Sequence, residues 1–313
     1  MADSAADIES HDGNSAGLQT AKDLFSGAVG GIAQVLIGQP FDIVKVRLQT
    51  STQYSSALTA AASIYKNEGA LAFYKGTLTP LLGIGACVSI QFGAFHSARR
   101  FLEQRRSASD KSFIPGVSNL SYGEYYAAGA FAGVANSVIS GPIEHVRIRL
   151  QAQPHGAGRL YSGPLDCVRK LSKQAGGVLP GLYRGEVVTV LREAQAYGLW
   201  FLAFEWLMNA DAARNKIDRK EIPSYKIALY GGLAGEALWL GSYPLDVVKS
   251  KMQTDGFGAG QQKYKNMRDC FAQTFRQEGM RGFWKGIGPT LLRAMPVSAG
   301  TFAVVEMTMR AIN

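Results

Sequence analysis

Three ten-residue segments each place an acid and a base three positions apart after a proline, and each ends in glutamine. They read PFDIVKVRLQ at 40–49, PIEHVRIRLQ at 142–151 and PLDVVKSKMQ at 244–253, so they recur 102 residues apart. An acid and a base at this spacing share one helical face and can form ion pairs, within the helix or between helices. Proline removes a backbone donor and bends a helix, so we predict bent helices whose charged ends converge.

The repeat divides the chain into three copies of one unit. We place the units at 21–108, 120–213 and 222–313, after a Ser-, Gly- and acid-rich tail at 1–20 that is expected to be disordered. Each unit is too small to bury much surface by itself, which favours threefold closure of the copies around one axis.

The composition indicates a membrane protein that encloses something polar. Hydrophobic residues make up 47% of the chain, yet the mean hydropathy is only -0.02. Uncharged stretches at 24–41, 76–98 and 125–143 approach the length of a spanning helix. Elsewhere charged residues interrupt the apolar pattern, as expected for helices that face a water-filled cavity.

A second signature follows each decapeptide. An aromatic residue, a basic residue and glycine stand at 74–76, 183–185 and 284–286, each after a short amphipathic segment. Each unit therefore predicts a spanning helix, a short helix and a second spanning helix. The six transmembrane helices are expected at 22–49, 77–103, 122–151, 186–208, 224–253 and 287–311, which gives an all-α membrane fold of three pseudo-symmetric repeats around a central cavity.

Several function classes lack support in the sequence. The three cysteines have no metal-binding or paired spacing, so free thiols are expected, and no metal or cofactor is predicted. No Ser/His/Asp set or phosphate-binding loop appears, which disfavours the alternative of a membrane-embedded enzyme or lipid-binding structural protein. The acidic N-terminal region matches neither a mitochondrial presequence nor a secretory signal, so any targeting information is expected to be internal.

Three copies of P-x-[DE]-x-x-[KR]-x-[KR]-x-Q, each followed by an aromatic-[KR]-Gly element, resemble the mitochondrial carrier family. The resemblance covers residues 22–312. It implies a solute carrier of the mitochondrial inner membrane that works by alternating access as a monomer, with both termini facing the intermembrane space. The GACVSIQFG and SGPIEHVRIRLQ stretches are similar to fungal members near the carnitine/acylcarnitine and ornithine/amino-acid subgroup.

The resemblance gives the three decapeptides the role of a gate on the matrix side. It implies three inter-repeat ion pairs with a glutamine bracing each, formed by Asp42 with Arg147, Glu144 with Lys249, Asp246 with Lys45, and Gln49, Gln151 and Gln253. The alternative is that the same pairs only lock the fold. The cytoplasmic gate is degenerate, since only Arg99 survives among its three expected bases; its other members are His96, Glu205 and Glu306.

The aromatic-basic-Gly elements place a cation and helix-start amides at the membrane surface, which suits an anionic headgroup. The resemblance implies cardiolipin as the lipid, bound by Lys75, Gly76, Arg184, Gly185, Lys285 and Gly286. The net charge of +9 fits such a lipid surface better than it fits nucleic acid.

Substrate contacts are expected where the threefold symmetry is broken. Seven residues after each of these glycines stand Gly83, Arg192 and Arg293. Arg192 is followed by Glu193, and in the family an Arg-acid pair at this point resembles amino-acid and carnitine carriers. A guanidinium binds a carboxylate through two hydrogen bonds, and a neighbouring carboxylate can form an ion pair with an ammonium group. The Arg-Glu pair therefore suits a zwitterionic substrate.

Other candidate contacts leave alternatives open. Arg293 suits either a second substrate carboxylate or a closing role. Glu236 suits an ammonium, a proton or hydrogen bonds to neighbouring helices, while Trp239 suits packing or stacking on a cation. The predicted substrate is a small, amino-acid-like carboxylate; the rival, acylcarnitine, needs room for an acyl chain beside Gly83, Ala86 and Cys87.

Overall fold

The computed structural model describes residues 13–51, 53–115, 118–153, 158–256 and 262–312. Throughout these ranges the regular structure is helical. Six long helical segments dominate: α1 Gly13–Thr50, α3 Leu78–Ser109, α4 Tyr122–Ala152, α7 Glu186–Asn215, α8 Ser224–Thr254, and α10 Ile287–Leu292 continued by α11 Ala294–Ile312. The predicted all-α architecture of six spans in three repeats is confirmed.

Short helices join the two long helices of each repeat. They are α2 Ala57–Glu68 with a 3-10 turn Ala70–Tyr74, α5 Pro164–Ala175 with α6 Val178–Leu182, and α9 Met267–Gly282. A further 3-10 turn, Arg219–Glu221, precedes α8. The starts are locally encoded: the Ser56 side chain accepts from the Thr59 amide, the Asn266 side chain accepts from the Asp269 amide, and Pro164 occupies the first turn of α5.

The long helices depart from the sequence prediction at several points. Helices α3 and α7 continue to Ser109 and Asn215, beyond the predicted ends at 103 and 208. Helix α1 begins at Gly13, within the segment expected to be a disordered tail, and residues 1–12 lie outside the described residues. The sixth span is interrupted at Arg293. Pro296 has no N–H to donate to the Leu292 carbonyl, so the helical hydrogen-bond ladder is broken there.

The long helices pack most extensively in two groups, α3, α4, α7 and α8 in one and α1 with α11 in the other. Helix α4 packs along both α3 and α7, α7 packs along α8, and α1 packs along α11. Helices α1, α4 and α8 continue through their prolines, so the charged decapeptides lie in the last turns of these helices. The fold thus brings three charged helix ends together at one end of the bundle.

Burial differs from that of a water-soluble bundle in two respects. Charged and amide side chains such as Asp246, Lys249 and Gln49 are buried, while the outer surface exposes large apolar side chains, among them Ile32, Leu36, Leu82, Phe131, Val138, Leu191, Leu233 and Leu240. Apolar exposure of this extent is expected where lipid, not water, surrounds the bundle.

By length and composition alone, two helical stretches in the described part of the chain could cross a membrane, Phe25–Thr50 and Ala70–Ser109. The stretch at 125–143, which we expected to be a third, is not among them. Other long helices carry intramembrane charges, such as Arg192 and Glu193 on α7 and Glu236 on α8. These charges are expected to face the bundle interior, since lipid does not solvate them.

Candidate functional site: a charged ring with two added arginines

The three predicted ion pairs are in contact and link the repeats in a circle. Arg147 Nη2 lies 2.6 Å from Asp42 Oδ2, Lys45 Nζ lies 2.7 Å from Asp246 Oδ2, and Lys249 Nζ contacts Glu144 Oε2. We call these six residues the charged ring. Each acid pairs with a base from a different repeat because the decapeptides converge with threefold pseudo-symmetry.

The three glutamines do not brace the ring equally. Gln49 Nε2 donates to Asp246 Oδ2 at 3.0 Å, as predicted. Gln253 Nε2 instead donates to Thr189 Oγ1 at 3.4 Å, and Gln151 Nε2 is buried without a hydrogen-bond partner among the described residues. Among the described residues, Gln49 is thus the glutamine whose side chain contacts a ring carboxylate.

Two arginines that were expected to contact substrate reach the ring. Arg293 Nη1 lies 2.5 Å from Asp42 Oδ1, so this carboxylate holds two guanidinium groups. Arg192 lies between two ring acids, with Nη2 3.7 Å from Glu144 Oε1 and Nε 3.9 Å from Asp246 Oδ1. Arg192 Nη2 also contacts Glu193 Oε1, whose side chain is 2% exposed. Arg192 and Arg293 therefore interact directly with the acids of the charged ring.

The remaining predicted substrate residues surround this unit. The Trp239 ring lies 4.2 Å from Lys45 Nζ and 5.5 Å from Arg293 Cζ, so it contacts two cations. Glu236 has no ion-pair partner in the part of the chain that the structure describes. A side chain at Gly83 would meet Ile143 Cδ1 at 2.5 Å, which shows that α3 and α4 approach closely at this level. Cys87 is a half-buried free thiol.

Among the side chains that the structure describes, the predicted residues of the opposite gate do not link the repeats by ion pairs. Arg99 Nε pairs with Glu103 Oε1 at 2.8 Å one turn along α3, and Glu205 Oε2 pairs with Arg219 Nη1 at 2.6 Å. His96 is exposed and lies beside the rings of Phe92 and Phe95. The Glu306 side chain lies outside the described residues. These groups take local partners because the bases that would link the repeats are absent, apart from Arg99 itself.

Each cation of the aromatic-basic-Gly elements is paired with a carboxylate. Lys75 Nζ lies 2.5 Å from Glu68 Oε2, Arg184 Nη2 lies 2.6 Å from Asp255 Oδ2, and Lys285 contacts Glu278. Each of these cations therefore has a counter-charge within the protein.

The glycines of these elements have a structural reason to be glycine. Gly76, Gly185 and Gly286 adopt φ of 76°, 79° and 83°, a left-handed conformation that side chains disfavour. Each also abuts the next repeat: a Cβ at Gly76 would lie 3.2 Å from the Arg147 carbonyl, and one at Gly286 would lie 3.1 Å from the Lys45 carbonyl.

Several contacts around the ring were missed in the sequence. Gln39 Nε2 donates to the Lys75 carbonyl at 2.6 Å, and the Tyr243 hydroxyl donates to the Lys285 carbonyl at 3.0 Å. Both residues directly precede the helix proline, and this shared position was an available signal. The partner acids Glu68 and Glu278 also stand at one shared spacing, seven residues before Lys75 and Lys285.

Comparison with known proteins follows the same three units. The profile of the mitochondrial carrier protein family matches residues 17–106, 118–210 and 220–313. The chain belongs to the mitochondrial carrier family. Its members are solute transporters, so the resemblance drawn from the decapeptides is confirmed.

Three relatives of this mitochondrial carrier are similar along almost their whole length. The glutamate/glycine mitochondrial carrier of Schizosaccharomyces pombe is 46% identical, over 94% of this chain and 96% of that protein. The mitochondrial glycine transporter of Saccharomyces cerevisiae is 45% identical, over 98% and 96%. The human mitochondrial basic amino acids transporter is 39% identical, over 92% and 90%. These names do not support the acylcarnitine alternative.

Proposed function

We propose that this carrier moves an amino acid across the mitochondrial inner membrane, and that Arg192 and Glu193 bind its carboxylate and ammonium groups. The observation that carries the proposal is the buried contact between these two side chains beside the charged ring, with 7% and 2% of each exposed. The names of the similar fungal carriers make glycine and glutamate the first candidates.

Charge balance favours a zwitterion at this position. Arg192 is the ion-pair partner of Glu193 in the described structure, so a ligand that bound only Arg192 and displaced this contact would leave the Glu193 carboxylate buried and unpaired. A zwitterion inserted between them replaces one ionic contact with two and adds no net charge. Charge-assisted contacts of this kind are worth about 1.5 to 3 kcal/mol each.

Basic amino acids are a second candidate because one acid near the site lacks a partner. Glu236 is half-buried on α8, three residues before Trp239, and forms no ion pair in the described part of the chain. Its carboxylate would form an ion pair with the side-chain cation of a basic amino acid. The human relative at 39% identity is named for basic amino acids.

Liposome uptake of labelled solutes tests the substrate assignment. We expect saturable uptake of glycine or glutamate without chemical change, as a carrier and not an enzyme requires. Glu193→Gln is expected to weaken uptake of the amino acid about tenfold or more, the effect of losing one such contact, while sparing its deaminated analogue. Arg192→Ala is expected to abolish uptake of both.

Equal loss of both solutes in Glu193→Gln would contradict the zwitterion assignment and leave Glu193 with a structural role. Glu236→Gln separates the second candidate, because it is expected to reduce lysine uptake more than glycine uptake. Uptake of acylcarnitine in preference to any amino acid would overturn the proposal.

The charged ring suits the matrix gate of such a carrier. Its three pairs close one end of the bundle, whereas Arg99 and Glu205 at the other end take local partners. This arrangement corresponds to a state closed to the matrix and open to the intermembrane space. The start of α1 and the end of α11 lie at the ends of these helices away from the ring, so we place the termini in the intermembrane space. The carrier is proposed to work as a monomer, with one central pathway through its three repeats.

We propose cardiolipin at the aromatic-basic-Gly elements. A cavity of about 930 Å³ lies between the second and third repeats and is lined by Arg184, Gly185, Lys265, Asn266 and Arg268, among others. It combines several cations with the start of α9, which favours a phosphate group.

Thermal unfolding in detergent, with and without cardiolipin, tests the lipid site. Arg184→Gln is expected to reduce the upward shift in Tm that cardiolipin causes. Asp255→Asn is the matched control, because it breaks the same Arg184–Asp255 pair but keeps the cation. Equal cardiolipin shifts in the wild type and Arg184→Gln would contradict a headgroup contact at this element.

A further inference from the structure

The second repeat carries an acid that its two sister repeats lack. Glu186 directly follows the helix-start glycine Gly185, where the other repeats have Thr77 and Ile287. It is the first residue of α7 and lies at the same end of the bundle as the charged ring. A carboxylate there is not needed to build the element, since two repeats form it without one.

The Glu186 side chain fills a gap on α4 that exists only in this repeat. At the position before the helix proline the other repeats have Gln39 and Tyr243, whereas the second repeat has Gly141. The Glu186 carboxylate sits against Gly141 so closely that a Cβ there would clash with it. Ser137 lies one turn before Gly141 on the same face of α4, and its hydroxyl donates to the Val134 carbonyl at 2.7 Å.

One oxygen of this carboxylate is left without a partner. Glu186 Oε1 is buried and has no hydrogen-bond partner within the described residues. Burial without a bonded cation favours the neutral acid, while the start of a helix favours the carboxylate. The opposing effects keep both protonation states accessible, so the group is suited to bind and release a proton.

The charged groups that face Glu186 belong to the gate on one side and to a water-accessible cavity on the other. Lys249 from α8 attracts its negative charge and Glu144 from α4 repels it. Lys249, however, is in contact with Glu144 and only 2% exposed. Glu186 also lines the cavity between the second and third repeats, together with Arg184, Lys265 and Arg268. Tyr183 and Tyr264 line the same cavity.

We propose that Glu186 is a proton-binding site, reached from the matrix, that exchanges its proton for Lys249 when the gate opens. The inference rests on the proposed gate. With the ring closed, Lys249 forms an ion pair with Glu144, and Glu186 is protonated by matrix water. When the ring opens, Glu186 releases its proton to the matrix, and the resulting carboxylate forms an ion pair with Lys249. The proton enters and leaves on one side, so matrix pH regulates opening and no net proton crosses.

Exchange of labelled glycine in liposomes, with the pH set separately on each side, tests this site. Protease protection assigns which side corresponds to the matrix. Acidification of that side alone is expected to slow wild-type exchange by up to about tenfold per pH unit, the limit for one proton. Glu186→Gln cannot titrate, so its rate is expected to be independent of matrix-side pH. Asp166→Asn, which removes a half-buried acid of the same repeat that pairs with Lys170, is expected to keep the wild-type profile.

A wild-type profile in Glu186→Gln would overturn the proposal. So would accumulation of substrate driven by an imposed pH gradient and lost in Glu186→Gln, because that result requires the proton to cross. If the variant does not fold, the wild-type carrier is treated with dicyclohexylcarbodiimide, which modifies protonated carboxyls in apolar surroundings.

Modification of the peptide that contains Glu186, rising as the matrix-side pH falls, is expected, and its absence at every pH would overturn the proposal. The labelling does not depend on transport. If the carrier moves no amino acid but is labelled at Glu186, the proposed substrate is contradicted and the proposed proton-binding site is not.

Discussion

The second and third repeats carry the same pair of glycines on their first long helix, yet the two helix hairpins are packed differently. In the second repeat, a Cβ at Gly129 would lie 2.5 Å from the Tyr197 carbonyl of α7, and one at Gly133 would overlap the Glu193 carbonyl. In the third repeat, nothing lies within 4 Å of a Cβ at Gly231 or Gly235. Helices α4 and α7 are in backbone contact, whereas α8 and α11 are apart at this level.

The difference shows that small residues permit close helix approach without causing it. Helix α7 is continuous, and its Arg192 is held among the ring acids of the second and third repeats. The sixth span is interrupted at Arg293, whose guanidinium is drawn to Asp42 of the first repeat, and α11 packs along α1 instead of α8. The two long helices of the second repeat therefore pack against each other, whereas the last helix of the third repeat packs against α1 of the first repeat.

The largest expected effect concerns how the ring acids of these two repeats tolerate the loss of a base. Lys45→Ala leaves Asp246, whose side chain is 6% exposed, without its direct partner. Lys249→Ala leaves Glu144, whose side chain is 30% exposed. Loss of a buried partner costs about 3 to 5 kcal/mol. We expect Lys45→Ala to lower Tm and transport more than Lys249→Ala does.

A charge swap, Lys45→Asp with Asp246→Lys, is expected to recover part of the liposome uptake lost in Lys45→Ala. Full transport in the single variant would count against a gate, and equal losses in Lys45→Ala and Lys249→Ala would remove the difference between the repeats.

A smaller effect separates the two glycine positions directly. Gly133→Ala forces α7 away from α4, and such overpacking costs about 1 to 3 kcal/mol. Gly235→Ala meets open space and gains up to about 1 kcal/mol of helix propensity. Thermal unfolding of both variants is the measurement. Similar decreases in Tm would mean that α8 and α11 pack as closely as α4 and α7.

The smallest effect is a difference in acid sensitivity. Burial raises the pKa of Glu278 in the third repeat, but the side chains of Lys251 and Lys285 outweigh it and hold the pKa below its usual value. A carboxyl of this kind stabilises the fold above its unfolded pKa and loses that contribution as the pH falls through its folded value. The second repeat has Ala175 in place of this acid, directly before Gly176.

Glu278→Gln is therefore expected to lower Tm slightly at neutral pH and to have no effect in strong acid, as measured by thermal unfolding across pH. A Tm difference that persists in strong acid would show that the glutamine substitution disturbs packing and not charge. Gln174→Asn is the control, since it is expected to leave the acid dependence of Tm unchanged.

Much of the ring could be predicted because its parts repeat. Each partner of Asp42, Glu144 and Asp246 was assigned from spacing together with the family resemblance, and all three contacts are present. The ion pair of Asp42 with Arg293 could not be predicted. Pro296 indicates a break in the last span, but the direction of the Arg293 side chain depends on how the two parts of that span pack against the first repeat. The missing ring at the opposite end was anticipated in part, since two of its bases are absent from the sequence.

The sequence by itself determined the threefold repeat, the helical spans and the types of residue at the ring, because these depend on local periodicity and on a spacing that recurs along the chain. The tertiary structure decided which equivalent residues behave differently. It placed Arg192 and Arg293 against the ring acids, brought α4 and α7 together while leaving α8 and α11 apart, and set Glu186 into the gap at Gly141. Burial, the distance to a counter-charge and the space beside a glycine are properties of neighbours from other repeats, and local sequence does not contain them.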